Sequence, residues 1–79
     1  MYIMYTKSNC PFCVKAKKIL TKNQEDYKTI DLTKSPLVWE ELKAAYDWKT
    51  VPMILGKEGK FFVLIGGFTE LKEYLTPSE

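Results

Sequence analysis

Short runs of apolar or alternating residues recur along the chain and predict four β-strands. The first run, Tyr2-Ile3-Met4-Tyr5, is apolar throughout, which is typical of a strand buried in a sheet. The last two predicted strands are joined by residues 56–60, and this short segment with two glycines favours a β-hairpin. The four predicted strands span residues 2–5, 27–32, 51–55 and 61–65.

Between the strands, apolar positions recur every three or four residues and predict three amphipathic helices. The first two span residues 11–23 and 36–46, and a short third helix ends at Thr76-Pro77. The expected buried stripes are Cys13, Ala16, Ile19 and Leu20 in the first helix, Val38, Leu42 and Ala45 in the second, and Phe68, Leu71 and Leu75 in the third. Five further aromatic residues are expected in the core or at its rim, namely Trp39, Tyr46, Trp48, Phe61 and Phe62.

The order β-α-β-α-β-β-α limits how the strands can pair. A βαβ crossover makes the first two strands parallel, whereas a hairpin makes the last two antiparallel. We therefore predict an α/β fold with one four-stranded mixed sheet and helices on both faces. The chain has 79 residues, so we expect residues 1–79 to form a single domain.

The composition narrows the range of partners. The chain is 46% hydrophobic, as in globular proteins, and no run approaches the roughly 20 apolar residues of a membrane span. No signal peptide is recognised, so we expect a cytoplasmic protein that does not bind membranes. The net charge is +2 and all basic residues are lysines spread along the chain, which argues against nucleic-acid binding.

Cys10-Pro11-Phe12-Cys13 is the segment that carries chemistry. A C-x-x-C pair beside a βαβ pattern predicts a thioredoxin-like redox site. A structural disulfide would close too small a loop to stabilise the fold much. A structural zinc site needs four ligands, and the chain has two cysteines and no histidine, so we expect no metal.

The predicted helix places the two cysteines in different environments. Pro11 suits the first helical position, which puts Cys10 at the helix mouth and Cys13 on the buried stripe. Unpaired N–H groups, the helix dipole and Lys7 should all favour the Cys10 thiolate. The pKa of Cys10 is therefore expected below the ordinary value of about 8.5, and that of Cys13 is not.

Three separated segments together resemble the glutaredoxin family, the glutathione-linked branch of the thioredoxin fold. Residues 5–13 resemble the family's active-site loop, with Phe12 where tyrosine is commoner. Thr50-Val51-Pro52 resembles its T-V-P segment, whose proline is cis, and residues 66–71 resemble its G-G-x-x-D segment, with Glu70 replacing aspartate. The resemblance covers essentially the whole chain, and the compact tail through Glu73-Tyr74 resembles that of short bacterial and bacteriophage members. A phage protein would be expected in the host cytoplasm.

The resemblance implies catalysis by Cys10 and Cys13, with glutathione as reductant and co-substrate. It also implies that Lys7 and Lys49 meet the glycyl carboxylate and that the backbone of Val51 pairs with the peptide. The γ-glutamyl carboxylate would lie at the start of the third helix, with the Glu70 side chain near the ligand amine. The implied glutathione-binding residues are Lys7, Phe12, Lys49, Thr50, Val51, Pro52, Gly67, Phe68, Thr69 and Glu70.

The resemblance thus implies a monomeric dithiol glutaredoxin, whose activity is the reduction of protein disulfides and glutathione mixed disulfides. Ribonucleotide reductase is a candidate electron acceptor. One alternative is a glutaredoxin-like redoxin that is recharged by thioredoxin reductase. Another is an iron–sulfur carrier that bridges a cluster through Cys10 and glutathione, and the intact C-P-x-C argues against it.

Overall fold

A computed structural model describes residues 1–75, which form four strands and three helices in the predicted order. The predicted end of the last helix at Thr76-Pro77 lies outside the described residues. The strands are β1 (Tyr2–Thr6), β2 (Tyr27–Asp31), β3 (Met53–Glu58) and β4 (Phe61–Gly66). The helices are α1 (Pro11–Lys22), α2 (Pro36–Tyr46) and α3 (Phe68–Leu75).

The strands form one mixed sheet in the order β2-β1-β3-β4. β1 and β2 are parallel, and β3 is antiparallel to both β1 and β4. The predicted four-stranded sheet and its strand directions are thus confirmed.

Buried residues form a separate cluster on each face of the sheet. α1 and α3 cover one face, where Met4 and Ile54 pack with residues of both helices. α2 covers the other face, where Met53 packs with Trp39. Neighbouring strand residues such as Met53 and Ile54 enter opposite clusters because side chains alternate across a strand. Each fully buried Met, Leu or Ile stabilises the fold by about 1.5–3 kcal/mol.

The predicted stripe of α1 is confirmed, but the predicted inner face of α2 is wrong at two of three positions. Leu42 packs against the core as expected, whereas Val38 is 44% exposed and Ala45 is also exposed. The helix instead turns Trp39 and Tyr46 inward with Leu42. These three residues share one face at spacings of three and four, and they bury more apolar area than Val38 and Ala45 would.

The hairpin is longer than predicted, and this changes the environment of two aromatic residues. Gly56 pairs with Tyr2 and continues β3, so the loop contains only two residues, of which Gly59 has the left-handed φ of 62°. β3 and β4 then continue beyond Tyr2, the first residue of β1. Phe61 is consequently 75% exposed and Phe62 is also exposed, so the prediction that both lie in the core or at its rim is wrong.

The sheet brings three segments of the chain to one edge. The end of β1 pairs with the start of β3 through Tyr5 and Met53, and the end of β4 pairs there through Gly66 and Ile54. The loop after β1, the residues before β3 and the start of α3 therefore meet at this edge. These are the three segments that carry the sequence motifs. No helix within residues 1–75 is long and apolar enough to cross a membrane.

Candidate active site

The loop between β1 and α1 is fastened to the loop that follows β2. The Ser8 N–H donates to the Thr33 hydroxyl oxygen at 2.8 Å, and the Thr33 N–H donates to an Asp31 carboxylate oxygen at 2.8 Å. Asn9 then adopts a left-handed φ of 58°, a conformation that asparagine tolerates better than most residues. This turn delivers Cys10 to the start of α1.

Cys10 is the N-cap residue of α1, and Cys13 lies on the first turn, as predicted. The two form a disulfide with their Cα atoms 5.2 Å apart. The Cys13 N–H donates to the Cys10 Sγ at 3.1 Å, and Pro11 occupies the first helical position. Cys10 is half-buried, whereas Cys13 is only 3% exposed. An attacking thiol can therefore reach Cys10 more easily than Cys13.

The local electrostatics at the start of α1 favour negative charge on Cys10. The first turn of α1 contains no acidic residue, so the helix N-terminus faces Cys10 without a competing carboxylate on that turn. When the disulfide is reduced, the Cys13 N–H and the helix dipole are expected to stabilise a Cys10 thiolate.

A cleft of about 470 Å³ is bounded by the start of α1, the residues before β3 and the start of α3. Phe12, which separates the two cysteines in sequence, forms one wall, and its ring centroid lies 6.0 Å from that of Phe68. Lys15 places its Nζ 5.0 Å from the centre of the Phe12 ring. The cleft is lined by Phe12, Trp48, Thr50, Val51, Pro52, Gly67, Phe68, Thr69 and Glu70.

All of the predicted glutathione-binding residues except the two lysines line this cleft. The Lys7 Nζ lies 4.9 Å from the centre of the Trp39 ring, over the α2 face of the sheet. Lys49 is exposed and does not line the cleft. The peptide bond between Val51 and Pro52 is cis, as the family resemblance implied.

Trp48 lines the cleft and is missing from the residues predicted to bind a ligand. Its Cζ2 lies 3.7 Å from the position of a Cβ built on Gly67, and its Nε1 is buried without a hydrogen-bond partner among the described residues. The available signal was its position two residues before Thr50, the first residue of the T-V-P segment. An aromatic residue beside a ligand-binding segment is a candidate pocket wall.

The start of α3 closes the other end of the cleft. The Gly67 N–H donates to the Glu70 Oε1 at 2.9 Å, so the Glu70 side chain caps its own helix. Gly66 has a φ of 130°, a conformation that favours glycine. Within residues 1–75, no group of three His, Cys, Asp or Glu side chains is arranged to hold a metal ion.

The fold and the site define a thioredoxin-fold protein with a redox-active pair of cysteines. Wheat glutaredoxin is 29% identical, with a TM-score of 0.71, and the match covers 86% of this chain and 62% of the wheat protein. The thioredoxin-like protein BC3987 is 28% identical, with a TM-score of 0.70, and the match covers 95% of this chain and 99% of BC3987. A buckwheat glutaredoxin solved as a glutathione complex is 22% identical, with a TM-score of 0.76, and the match covers 92% of this chain and 66% of the buckwheat protein.

The family follows from the sequence match. Residues 2–61 match the model of the glutaredoxin family, and the chain belongs to that family. The cysteine pair agrees with its dithiol class. The chain spans less than two thirds of the length of the wheat and buckwheat proteins. No curated protein sequence matches it.

Proposed function

We propose that the chain is a glutathione-dependent thiol–disulfide oxidoreductase that acts on glutathione mixed disulfides and protein disulfides. The observation that carries the proposal is the placement of Cys10. This residue is the N-cap of α1, its Sγ accepts a hydrogen bond from the Cys13 N–H at 3.1 Å, and Phe12, two residues further on, lines a ligand-sized cleft. A thiolate at that position is a nucleophile and also a good leaving group.

Reduction of a glutathione mixed disulfide would need only Cys10. Its thiolate attacks the glutathione sulfur, the substrate leaves as a thiol, and glutathione remains disulfide-bonded to Cys10. A second glutathione thiolate then attacks the glutathione sulfur of this adduct, forms glutathione disulfide and releases the Cys10 thiolate. Because a thiol of low pKa leaves quickly, the Cys10 environment favours this second step.

Reduction of a protein disulfide would use both cysteines. The Cys10 thiolate attacks one substrate sulfur and displaces the other, which leaves the substrate tethered to Cys10. Cys13 then attacks the Cys10 Sγ, releases the fully reduced substrate and forms the disulfide present in the structure. Two glutathione molecules restore the dithiol and leave as glutathione disulfide, so two electrons pass to each substrate disulfide.

The cleft has the size and the chemical groups that a bound tripeptide would need. Its volume of about 470 Å³ falls within the range of roughly 300–1,000 Å³ for small-molecule sites. An extended peptide could pair with the backbone of Val51 as an added strand. Its γ-glutamyl carboxylate would lie at the start of α3, and Lys7 and Lys49 would attract the glycyl carboxylate. The buckwheat complex, which shares the fold, supports glutathione as the ligand.

The protein would act as a monomer in the cytoplasm, where glutathione keeps thiols reduced. Its macromolecular partners would be proteins with accessible disulfides, and ribonucleotide reductase is one candidate.

A coupled assay tests the proposal and its main alternative together. Reduction of a glutathionylated substrate would be followed by NADPH oxidation, once with glutathione and glutathione reductase and once with thioredoxin reductase alone. We expect turnover in the first system only. Turnover with thioredoxin reductase alone would assign the chain to the redoxins recharged by that enzyme, and no turnover in either system would refute the proposed activity.

A further inference from the structure

The exposed side of α1 carries a row of lysines that leads away from the cysteine pair. Lys15, Lys18 and Lys22 lie three and four residues apart, so they share one side of the helix, opposite its buried stripe. All three are exposed, and together they are called the lysine row below. At a rise of about 1.5 Å per residue, the row begins about 8 Å from Cys10 along the helix and ends about 18 Å from it.

No acidic residue balances the lysine row. The ten Asp and Glu residues of the chain all lie at Glu25 or beyond it, so the charged side chains of α1 and of the segment before it are all positive. Within residues 1–75, no carboxylate lies within ion-pair distance of the three lysines. Like charges three and four residues apart repel each other on a helix, so the row costs some stability. An uncompensated local cost of this kind is typical of a functional surface.

Phe12 connects the lysine row to the active-site cleft. Its side chain is 52% exposed and lines the cleft, and the Lys15 Nζ lies 5.0 Å from the centre of its ring. Val14, which follows Cys13, is also 49% exposed. Exposed aromatic side chains are favoured at the centre of protein interfaces, with charged groups at the rim. This surface therefore combines an apolar centre beside the cysteines with a positive rim along α1.

We propose that the lysine row and Phe12 form a docking surface for an acidic segment of the protein substrate. The inference rests on the proposed function and deepens it, because it gives the class of segment that Cys10 meets. Opposite charges on the two partners speed their encounter and fix their orientation. An extended chain advances by about 3.3 Å per residue, so the carboxylates would stand about two to five residues from the substrate cysteine.

A pair of glutathionylated peptides tests the docking surface. The acidic peptide has Asp at those positions on both sides of its cysteine, and the neutral peptide has Asn in place of every Asp. Each peptide is mixed with the reduced protein, and chromatography follows release of the peptide thiol as the Cys10 thiolate takes the glutathionyl group. The measured quantity is the second-order rate constant of the acidic peptide divided by that of the neutral peptide.

The ratio is compared among three proteins. The first is the parent, and the second has all three residues of the lysine row replaced by glutamine. The third is a matched control with the same change in net charge, in which glutamine replaces three exposed lysines of β2, β3 and the loop after β3. These control positions are Lys28, Lys57 and Lys60.

We expect the parent to react faster with the acidic peptide, so that its ratio is above one. The ratio should fall about three- to tenfold in the variant of the lysine row, the range expected for a few exposed ion pairs acting together. The control variant should keep the ratio of the parent. An unchanged far-UV circular dichroism spectrum would show that both variants remain folded.

The possible failures are distinguishable. Equal ratios in the parent and the variant of the lysine row, or an equal fall in the control variant, would overturn the docking surface while leaving glutathione transfer intact. If none of the three proteins released the thiol from either peptide, the proposed function itself would be overturned, and the inference with it.

Discussion

Cys10 and Cys13 differ in accessibility although they are only three residues apart. Cys10 is half-buried at the helix N-terminus, and Cys13 packs in the α1–α3 core at 3% exposure. Lowering a thiol pKa raises the thiolate fraction but reduces its nucleophilicity, with a Brønsted slope of about 0.4–0.5. The gain in turnover therefore comes mainly from faster departure of the Cys10 thiolate. The buried Cys13 is suited to attack only the Cys10 Sγ, once Cys10 is in a mixed disulfide.

Lys7 and Lys49 lie outside the lining of the cleft, so we expect them to act as long-range charges. Replacing both by glutamine should raise the KM for a glutathionylated substrate by about two- to fivefold, because partly exposed charges interact weakly. Added salt should raise the KM of the parent more than that of the variant. Lys57→Gln, at the exposed far end of the hairpin, is the control. An unchanged KM in the double variant would assign both lysines to the general surface charge.

Asp31 should make the stability of the active-site loop depend on pH. Thr33 lowers the pKa of Asp31 below the ordinary value of 3.8 through its side-chain and backbone hydrogen bonds, with smaller contributions from Lys17 and Lys34. Since the folded-state pKa is lowered, the carboxylate stabilises the fold above pH 3.8. This stabilisation is lost as the pH falls through the folded-state pKa.

The corresponding variant is Asp31→Asn, measured by urea unfolding at several pH values. It should be less stable than the parent at pH 7, and the difference should shrink towards zero at the lowest pH. A difference that stays constant with pH would mean that the carboxylate charge contributes nothing.

At the scale of the elements, the turn from β4 into α3 contains Gly66 and Gly67. The surroundings of Gly66 differ from those of Gly59 in the hairpin loop. Gly66 combines a φ of 130° with a side chain packed against it, whereas Gly59 has a φ of 62° and no atom within 4 Å of its Cβ position. Positive φ alone costs a residue with a Cβ roughly 1–2 kcal/mol. The Gly66 position adds a steric clash with Glu70.

Gly66→Ala should therefore destabilise the protein more than Gly59→Ala. We expect a loss of about 2–4 kcal/mol for the first and about 1 kcal/mol for the second. Chemical denaturation of both variants gives the comparison. Equal losses would indicate that Glu70 moves aside without cost, which would also weaken its assigned position at the start of α3.

The sequence predicts elements and motif positions well because periodicity and turn residues are local properties. It predicted the order of helices and strands along the chain, the α1 stripe and most of the cleft lining. The inner face of α2 was harder, because Val38 and Trp39 both offer apolar side chains and only the sheet decides which is buried. Trp48 was missed for a related reason: its place beside Gly67, just before α3, brings together residues far apart in sequence.

At the scale of the whole molecule, the two faces of the sheet are buried while the end of the hairpin is not. β3 and β4 extend past β1, so residues there lack a neighbouring strand on one side. Phe61 is 75% exposed at this end, far along the sheet from the edge that carries the cysteines. An apolar residue in this position contributes little to the core.

Phe61→Lys should accordingly change the free energy of unfolding by no more than about 0.5 kcal/mol. Leu20→Ala, at a fully buried position of α1, should cost about 2–5 kcal/mol. Thermal or urea unfolding of both variants tests the difference. A large loss in Phe61→Lys would show that the end of the hairpin is packed against something in solution.

The most direct test of the proposed division of labour is the activity of Cys13→Ser on two substrates. Reduction of a glutathione mixed disulfide should continue at a substantial rate, because external glutathione can clear the adduct on Cys10. Reduction of a protein disulfide should be mostly lost, and the substrate should accumulate as a covalent adduct, because the fast intramolecular attack is gone. Cys10→Ser should lose both activities. If a folded Cys13→Ser variant lost the glutathione reaction as well, Cys13 would be needed in every cycle, which would contradict the monothiol step assigned to Cys10.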